Sequence, residues 1–393
     1  MIDFQLSKAE QAAREEAHEI AEKDLRPFSL ECDRTESIPD EFFWRMKRRA
    51  ATRTPTPQGE SQQSRRWAVL GVLNSEETAW GDAGLATGIP GPGLAAPPIL
   101  AFGSDEQRKR FLSIYEDEQP RWGALALSEP GVGSDVSSIA TLAKQDGDDW
   151  VLNGTKHFIT NGARADLVVV FATINPEFGR AGIRPFVVPK GTPGFTVGRI
   201  EKKMGLRASQ TAQLFFTDCR IPGDHLLAGR AFESMAGFKA AMGTLDATRP
   251  MVGSLAVGIA RAAHEVATAW VCDELPQGYP FARKDAVVEE LEDLGARIDA
   301  ARLLCWRAAW MADHNLPNSK EASMAKAYAG QLVMQVTSAA ARIMGPAEDC
   351  ECKQLVEKWF RDAKVFDIFE GTAQVQRLVI SRRMFGDAGP KRD

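Results

Sequence analysis

The residues best suited to chemistry stand in two segments of this 393-residue chain, 127–135 and 368–374. The first has two glycines, a proline and hydroxyl side chains, which suit a loop whose backbone comes close to phosphate or ring oxygens of a ligand. The second places Glu370 beside a glycine, and a carboxylate can take up a proton. Taken alone, the first segment is more often a plain turn, and Glu370 would be a solvated glutamate at a helix start.

The hydrophobic pattern divides the chain into three parts, and the first, residues 1–121, is predicted to be helical. Capping-box sequences that begin at Ser7 and Ser104 precede apolar residues at helical spacing. Between them, residues 51–66 are polar, contain two prolines and have no periodicity. We therefore expect an exposed loop at 51–66.

The second and third parts of the chain differ in the period of their hydrophobic pattern. Residues 122–231 consist of short β-rich runs, which predict a compact β domain, and Asn153 with Gly154 between two such runs predicts a hairpin turn. Residues 232–393 return to long alanine-rich helical patterns, which are typical of a bundle because small side chains let helices approach closely. An enzyme with a doubly wound parallel sheet would instead alternate strands and helices throughout.

The composition is that of an ordinary globular protein with more than one domain, with 44% hydrophobic and 26% charged residues. A net charge of -5 gives no general attraction to nucleic acid or to an anionic membrane, and the apolar stretches are too short to span a bilayer. The first residues lack a basic stretch followed by an apolar run, which predicts no secretory signal and a cytoplasmic location. The six cysteines are expected to be reduced thiols. Cys350 and Cys352 have no second pair of ligands at zinc spacing, so no metal site is predicted.

Six segments taken together resemble the acyl-CoA dehydrogenase family. They follow the order of that family from the start of the β part to the C-terminus: 127–135, 152–162, 203–209, 218–222, 245–250 and 369–372. The resemblance implies a mainly α fold with a central β-barrel. Its parts would be an N-terminal helical domain (1–121), a middle β-barrel domain (122–231) and a C-terminal four-helix bundle (232–393), with FAD between the barrel and the bundle.

The resemblance also implies a set of site residues. Those expected to bind FAD are Leu127, Ser128, Gly133, Ser134, Phe158, Thr160, Thr372 and Gln374. Thr160 would lie near flavin N5, and Phe158 stands where many members have tryptophan, so an aromatic face is kept. Those expected to bind the acyl-CoA are Asp246, Arg249, Ser134 and Gly371, with Asp246 on the pantetheine arm.

The reaction implied by the resemblance is α,β-dehydrogenation of an acyl-CoA thioester to the trans-2-enoyl-CoA. It needs a base for the α proton and an acceptor for the β hydride, and the site must raise the pKa of a carboxylate that serves as base. Glu370 is the predicted base, because the position that carries the base in some relatives is Thr248 here, and threonine cannot do this. The backbone N–H of Glu370 would help to bind the thioester oxygen, and Arg249 is predicted to be catalytic through its charge.

Two further functions stay open at this point: a flavin oxidase or monooxygenase on the same fold, and a non-catalytic partner subunit of a heteromeric dehydrogenase. The dehydrogenase would pass its electrons to an electron-transfer flavoprotein. The length of the acyl chain is not predicted, although residues 87–99 are expected to line the base of the pocket.

Two family segments that act across subunit interfaces are altered. Residues 278–282 replace an Arg-x-x-Phe-Gly segment whose arginine reaches the FAD of a neighbouring subunit, and residues 342–348 replace a Gln-x-x-Gly-Gly-x-Gly segment. Proline and glutamate in the second segment cannot give the same close backbone approach. We therefore expect an α2β2 heterotetramer with a related chain that supplies the adenosine half of the FAD site. The alternative is a homotetramer that holds FAD through Arg283 or Arg342.

Overall fold

The structure is a computed structural model that describes residues 4–52, 66–227, 236–273 and 284–386. Within these ranges helices come first, a β-sheet follows, and helices return, so the predicted order of the three parts is confirmed. The loop predicted at 51–66 lies outside the described residues, except that residues 51 and 52 end a helix and Arg66 precedes the next one. The segment 278–282 also lies outside the described residues.

The described N-terminal part contains six α-helices: α1 (Lys8–Ile20), α2 (Ser29–Thr35), α3 (Asp40–Thr52), α4 (Trp67–Gly88), α5 (Ala96–Phe102) and α6 (Asp105–Leu112). Both predicted capping boxes are confirmed. Ser7 and Glu10 exchange side-chain and backbone hydrogen bonds at the start of α1, and Ser104 and Gln107 do the same at the start of α6.

The described middle part forms one sheet of seven strands: β1 (Gly123–Ala126), β2 (Leu142–Asp146), β3 (Asp149–Thr160), β4 (Leu167–Thr173), β5 (Ile183–Pro189), β6 (Phe195–Ile200) and β7 (Thr211–Ile221). β4 is buried along its whole length and pairs with β5 on one side and with β1 and the first residue of β2 on the other. β2, β3, β7 and β6 follow as antiparallel neighbours. The sheet curls into a half-barrel, and its closure into a full barrel stays a prediction.

The hairpin turn predicted at Asn153 and Gly154 is wrong, because both residues lie inside β3. The chain turns instead at Gly147 (φ 64°), between β2 and β3. Gly154 allows a close approach, since a Cβ there would lie 2.6 Å from Thr141 Oγ1. Asn153 exchanges hydrogen bonds with Asp218 of β7 next to an irregularity in the β3–β7 register. The Asn-Gly pair therefore marks a bulge rather than a turn.

The described C-terminal part contains five α-helices: α7 (Ala236–Asp273), α8 (Lys284–Asp313), α9 (Ser319–Ile343), α10 (Glu351–Ala363) and α11 (Ala373–Phe385). One hydrophobic core joins α4 to α7, α8, α9 and α10. Helices α7 and α4 approach each other closely, since a Cβ added at Gly258 of α7 would collide with the backbone of Glu76 in α4. The helical core thus draws on both ends of the chain. The four-helix bundle and the domain boundaries after residues 121 and 231 stay predictions.

A buried network of charged side chains connects the three parts of the chain. Lys358 of α10 lies 2.7 Å from a carboxylate oxygen of Asp82, at a break in α4, and 2.5 Å from Asp362. Asp362 also accepts a hydrogen bond of 2.5 Å from the backbone N–H of Leu206, between β6 and β7. The three charged side chains are at most 2% exposed, and buried charges have to be paired. This junction fixes α10, and with it the start of the segment that carries Glu370.

Candidate active site

Glu370 lies in a tight turn, residues 368–372, which we call the Glu370 turn. It follows α10 and a short 3-10 helix (Lys364–Asp367) and leads into α11. Glu370 (φ 55°) and Gly371 (φ 95°) both have left-handed backbone conformations. Glycine adopts such a conformation readily, whereas glutamate pays on the order of 1–2 kcal/mol for it. Surrounding groups must therefore hold the turn in place.

Three buried side chains donate hydrogen bonds to the two carbonyl groups of this turn. Glu370 O accepts from Gln376 Nε2 at 3.1 Å and from Arg249 Nε at 3.4 Å. Gly371 O accepts from Gln376 Nε2 at 3.0 Å and from Lys326 Nζ at 2.7 Å. The donors come from α11, α7 and α9 respectively, so three helices fix the orientation of the two peptide groups.

The carboxylate of Glu370 is half-buried, and its Oε2 accepts a hydrogen bond of 2.5 Å from the hydroxyl of Thr248. Burial raises the pKa of Glu370 above its usual value, and the Thr248 hydroxyl and the charges of Arg249 and Lys326 oppose this rise. Burial has the larger effect, because removing a carboxylate from water disfavours its charged form. The result is a carboxylate that binds a proton more tightly than a solvated one.

Helix α7 brings Asp246, Thr248 and Arg249 to one place beside the Glu370 turn. Arg249 is 3% exposed, and its Nη1 lies 2.6 Å from Asp246 Oδ1. Burial lowers the pKa of Arg249, although the negative charges of Asp246 and Glu370 act to raise it. Burial raises the pKa of Asp246, although the positive charge of Arg249 acts to lower it. The residues predicted for catalysis or substrate binding on α7 and in the turn are Asp246, Arg249, Glu370 and Gly371. The structure places them next to one another, while their roles stay predictions.

The loop of residues 128–135, which we call the glycine loop, follows β1 and has an open tip. Gly133 and Ser134 are exposed, and a Cβ added at Gly131 or Gly133 would meet nothing within 4 Å. At its base, Ser128 O accepts a hydrogen bond of 2.9 Å from the backbone N–H of His157 in β3. Packing within the chain does not account for glycine at the tip.

A buried ion pair that sequence reasoning missed holds the base of this loop. Lys156 Nζ lies 2.7 Å from Glu129 Oε1 and also donates to Leu127 O at 3.0 Å. Glu129 in turn accepts from the backbone N–H groups of Ala140 and Thr141. Burial lowers the pKa of Lys156 to about 8, against the charge of Glu129. A lysine in a strand sequence gives no signal that it is buried.

Phe158 and Thr160 lie on β3 next to the glycine loop. Phe158 has a left-handed backbone (φ 59°) at an irregularity in the β3–β7 register, and 63% of it is exposed. Its ring stacks on His157, with centroids 4.1 Å apart. Thr160 is half-buried. A left-handed backbone is unusual for so bulky a residue, and it leaves an apolar ring at the surface.

At the start of α11, Thr372 caps the helix and accepts from the backbone N–H of Val375 at 3.4 Å. Gln374, predicted to bind FAD, is exposed, whereas Gln376 is fully buried. Gln376 and Lys326 were both missed from the sequence. Lys326 stands 45 residues before the carbonyl that it binds, and such a long-range contact leaves no local pattern.

The described residues contain no group of three or more His, Cys, Asp or Glu side chains arranged to hold a metal ion. Cys350 and Cys352 are exposed at the start of α10 and are not joined in a disulfide. Nor does the described part of the chain contain a helix with the length and apolarity needed to cross a membrane.

Comparison with known families matches all three parts of the chain. The N-terminal domain of acyl-CoA dehydrogenase matches residues 7–115, the middle domain matches 124–219, and the C-terminal domain matches 235–385. These matches define the class, a three-domain oxidoreductase. The chain belongs to the acyl-CoA dehydrogenase family, whose members are flavoproteins of fatty acid metabolism.

Individual relatives agree with this assignment. The chain is 37% identical to "Short-chain specific acyl-CoA dehydrogenase, mitochondrial" of Bos taurus, over 96% of this chain and 90% of that one. It is similar in structure to butyryl-CoA dehydrogenase of Megasphaera elsdenii, with a TM-score of 0.87, 34% identity and coverage of 98% and 100%. A chain from the structure described as "Electron transferring flavoprotein of Acidaminococcus fermentans" gives a TM-score of 0.88, 35% identity and the same coverage.

Proposed function

We propose that this chain removes one hydrogen from each of the α and β carbons of an acyl-CoA thioester and yields the trans-2-enoyl-CoA. The observation that carries the proposal is the carboxylate of Glu370, half-buried, raised in pKa and held by the Thr248 hydroxyl at 2.5 Å. A base that works near neutral pH needs a pKa above that of a solvated carboxylate. The names of the relatives favour short acyl chains.

In this proposal Glu370 takes the α proton of the thioester. Arg249 is buried beside it, and its positive charge favours the negative charge that develops on the thioester as the proton leaves. Asp246 neutralises part of the Arg249 charge through the 2.6 Å ion pair, and in this proposal it also contacts the pantetheine arm. The strained turn supports this assignment, because strain of this kind concentrates at functional sites.

The proposed cofactor is FAD, and the residues present fit it. The exposed ring of Phe158 offers an apolar face to the flavin, and the open glycines with Ser134 leave the glycine loop free to approach phosphate oxygens. Leu127, Ser128 and Thr160 would complete this side, with Thr372 and Gln374 on the side of α11. When bound, FAD would accept the hydride from the β carbon.

The proposed electron acceptor is an electron-transfer flavoprotein, supported by the similarity to the chain from Acidaminococcus fermentans. A flavin oxidase would instead reduce oxygen. Anaerobic bleaching of the flavin by acyl-CoA, followed by slow reoxidation in air, is the expected result. Rapid formation of hydrogen peroxide would favour the oxidase.

We further propose that the chain forms a tetramer with a related chain that supplies the adenosine half of the FAD site. The turn after α9 supports this proposal. Lys353 Nζ binds Gly345 O and Ala347 O at 2.8 and 2.6 Å, and Arg342 is paired with Glu290. Two carbonyl groups of this turn and the Arg342 side chain are thus already engaged by contacts within the chain. Full and tight FAD occupancy in the chain purified alone would contradict the heterotetramer.

The central experiment is a panel of acyl-CoAs, from butyryl-CoA upward, mixed anaerobically with the FAD-loaded protein, first without an electron acceptor to follow flavin bleaching and then with an artificial acceptor to accumulate product. The product of an active substrate should be the trans-2-enoyl-CoA. Absence of flavin bleaching with every acyl-CoA of the panel would contradict the proposed function.

A further inference from the structure

We propose that Lys326, on α9, is a positioning residue that holds the Glu370 turn in its reactive conformation through the carbonyl of Gly371. This inference deepens the proposed function of Glu370 and rests on it. Lys326 makes no contact with the proposed substrate in this account and acts only through the turn.

The geometry brings α9 directly against the catalytic segment. Lys326 Nζ donates to Gly371 O at 2.7 Å, and the residue is 1% exposed. One helical turn further along α9, a Cβ added at Gly330 would lie 2.5 Å from Phe366 O. Glycine at 330 therefore lets α9 come close enough for the lysine to reach the turn.

Lys326 differs from the two other buried lysines of the described chain. Lys156 and Lys358 each have a carboxylate oxygen within 2.7 Å. In the described ranges Lys326 Nζ forms no ion pair with a carboxylate. Its hydrogen bond goes to the backbone carbonyl of Gly371, and Asp367 and Glu370 act on it through their charge. Burying an ammonium group is costly without a close counter-ion. A hydrophobic side chain of the same length would suit the core better, so stability alone does not explain this lysine.

The position of the carbonyl explains what the lysine can do. Glu370 and Gly371 both have left-handed backbone conformations. The carbonyl of Gly371 belongs to the peptide group that directly follows this pair, so a hydrogen bond to it limits the conformations open to the turn. Gln376 binds both carbonyl groups but is neutral. Lys326 adds a charged donor, which makes a stronger hydrogen bond.

The charge of Lys326 also acts on Glu370. Charged groups from four elements surround the turn. Arg249 of α7 and Lys326 of α9 act on Glu370, and Asp367 of the 3-10 helix acts on Lys326. Asp246 pairs with Arg249, and Arg383 of α11 acts on Asp246. Burial lowers the pKa of Lys326 to about 8, while Asp367 and Glu370 oppose this. Below that pH the lysine is mostly a cation and favours the ionised form of Glu370. Losing the cation should therefore raise the pKa of the base.

The test compares Lys326→Met with Lys320→Met, a control at the start of the same helix whose half-buried side chain pairs with Glu321 and forms no hydrogen bond or ion pair with the described residues of the Glu370 turn. In the first measurement, hydrogen–deuterium exchange followed by mass spectrometry reports on peptides that cover residues 366–376. Lys326→Met should speed exchange in this segment about tenfold, and the control should leave it unchanged. This readout does not depend on the proposed reaction, so it can fail or succeed separately.

The second measurement is the rate of anaerobic flavin reduction by acyl-CoA as a function of pH. Lys326→Met should lower the rate and move the midpoint of the acidic limb upward by about one pH unit, the effect of a unit charge several ångströms away at a partly buried site. The proposal would be overturned if Lys326→Met showed the wild-type rate of hydrogen–deuterium exchange in residues 366–376 and the wild-type midpoint of the acidic limb. Should Lys326→Met fail to fold, Lys326→Gln replaces it, with the same upward shift expected and an unchanged midpoint contradicting it.

Discussion

The Glu370 turn and the glycine loop carry the two halves of the candidate site, and they are held in different ways. Three helices donate buried hydrogen bonds to the Glu370 turn, so the chain itself fixes the proposed base. The glycine loop is held at its base by the ion pair of Glu129 and Lys156, Val132 packs against a hydrophobic cluster, and the space around Gly131 and Gly133 is open. The comparison indicates that the fold preorganises the proposed base, whereas it leaves space around the glycines at the loop tip.

The largest expected effect concerns the anchor of the glycine loop. Lys156→Met leaves Glu129 buried without its counter-ion, which should lower the free energy of unfolding by about 3–5 kcal/mol. Urea unfolding followed by fluorescence measures this. The control is Lys23→Met, which breaks an exposed ion pair with Glu19 and should change stability by less than about 1 kcal/mol. Equal effects in the two variants would show that the loop base is not anchored by charge.

Two matched glycine substitutions sharpen the comparison directly. Gly371→Ala forces a side chain into a left-handed conformation (φ 95°), with its Cβ 2.5 Å from Gln376 Nε2, and should cost about 2 kcal/mol or more of unfolding free energy. Gly133→Ala adds its Cβ to open space and should cost less than about 0.5 kcal/mol. A Gly371→Ala protein as stable as the wild type would contradict the tightly held turn.

Thr248→Val tests the electrostatics of the base. The Thr248 hydroxyl donates to the ionised form of Glu370 and so lowers its pKa, and removing the hydroxyl should raise this pKa further. Because the reaction needs the ionised base, the acidic limb of the pH–rate profile should move upward by about one pH unit, as expected for a hydrogen bond to a charged group. Thr248→Ser keeps the hydroxyl and should keep the wild-type midpoint. A valine variant with the wild-type midpoint would refute this role.

The smallest effect is expected on the flavin side. Phe158→Leu should weaken FAD binding by about 2- to 10-fold, the contribution of a stacked aromatic ring, without a change in stability because the side chain is 63% exposed. Phe178→Leu is the control, since this phenylalanine is similarly exposed (55%) and lies outside the site residues. Titration of the apoprotein with FAD measures both, and the same affinity in the two variants would argue against Phe158 as a flavin contact.

The sequence predicts features that depend on neighbouring residues better than features that depend on tertiary contacts. The capping boxes at Ser7 and Ser104 depend on residues three apart, and both were predicted correctly. The Asn153-Gly154 turn was wrong, because the same dipeptide also serves a bulge where Thr141 approaches. Local patterns therefore predicted the order of the three parts, with errors where tertiary contact decides the conformation.

The candidate site shows the same limit. Glu370, Arg249 and Asp246 could be proposed from the resemblance, but the side chains that hold the turn could not. Lys326 is one of two lysines in an alanine-rich helix, and nothing in the sequence distinguishes it from Lys320. Gln376 lies two residues after Gln374, the glutamine predicted to bind FAD. Burial of a polar side chain depends on what packs around it, and here those partners come from three helices far apart in the chain.

The most direct measurement of the central claim is the rate of anaerobic flavin reduction by an active acyl-CoA in wild type and Glu370→Gln, each loaded with FAD. Glutamine keeps the size of the side chain and can still bind the Thr248 hydroxyl, but it cannot take the α proton. We predict a rate at least about 100-fold lower, with FAD content and stability unchanged. A Glu370→Gln protein that reduces its flavin within about threefold of the wild-type rate would contradict Glu370 as the base.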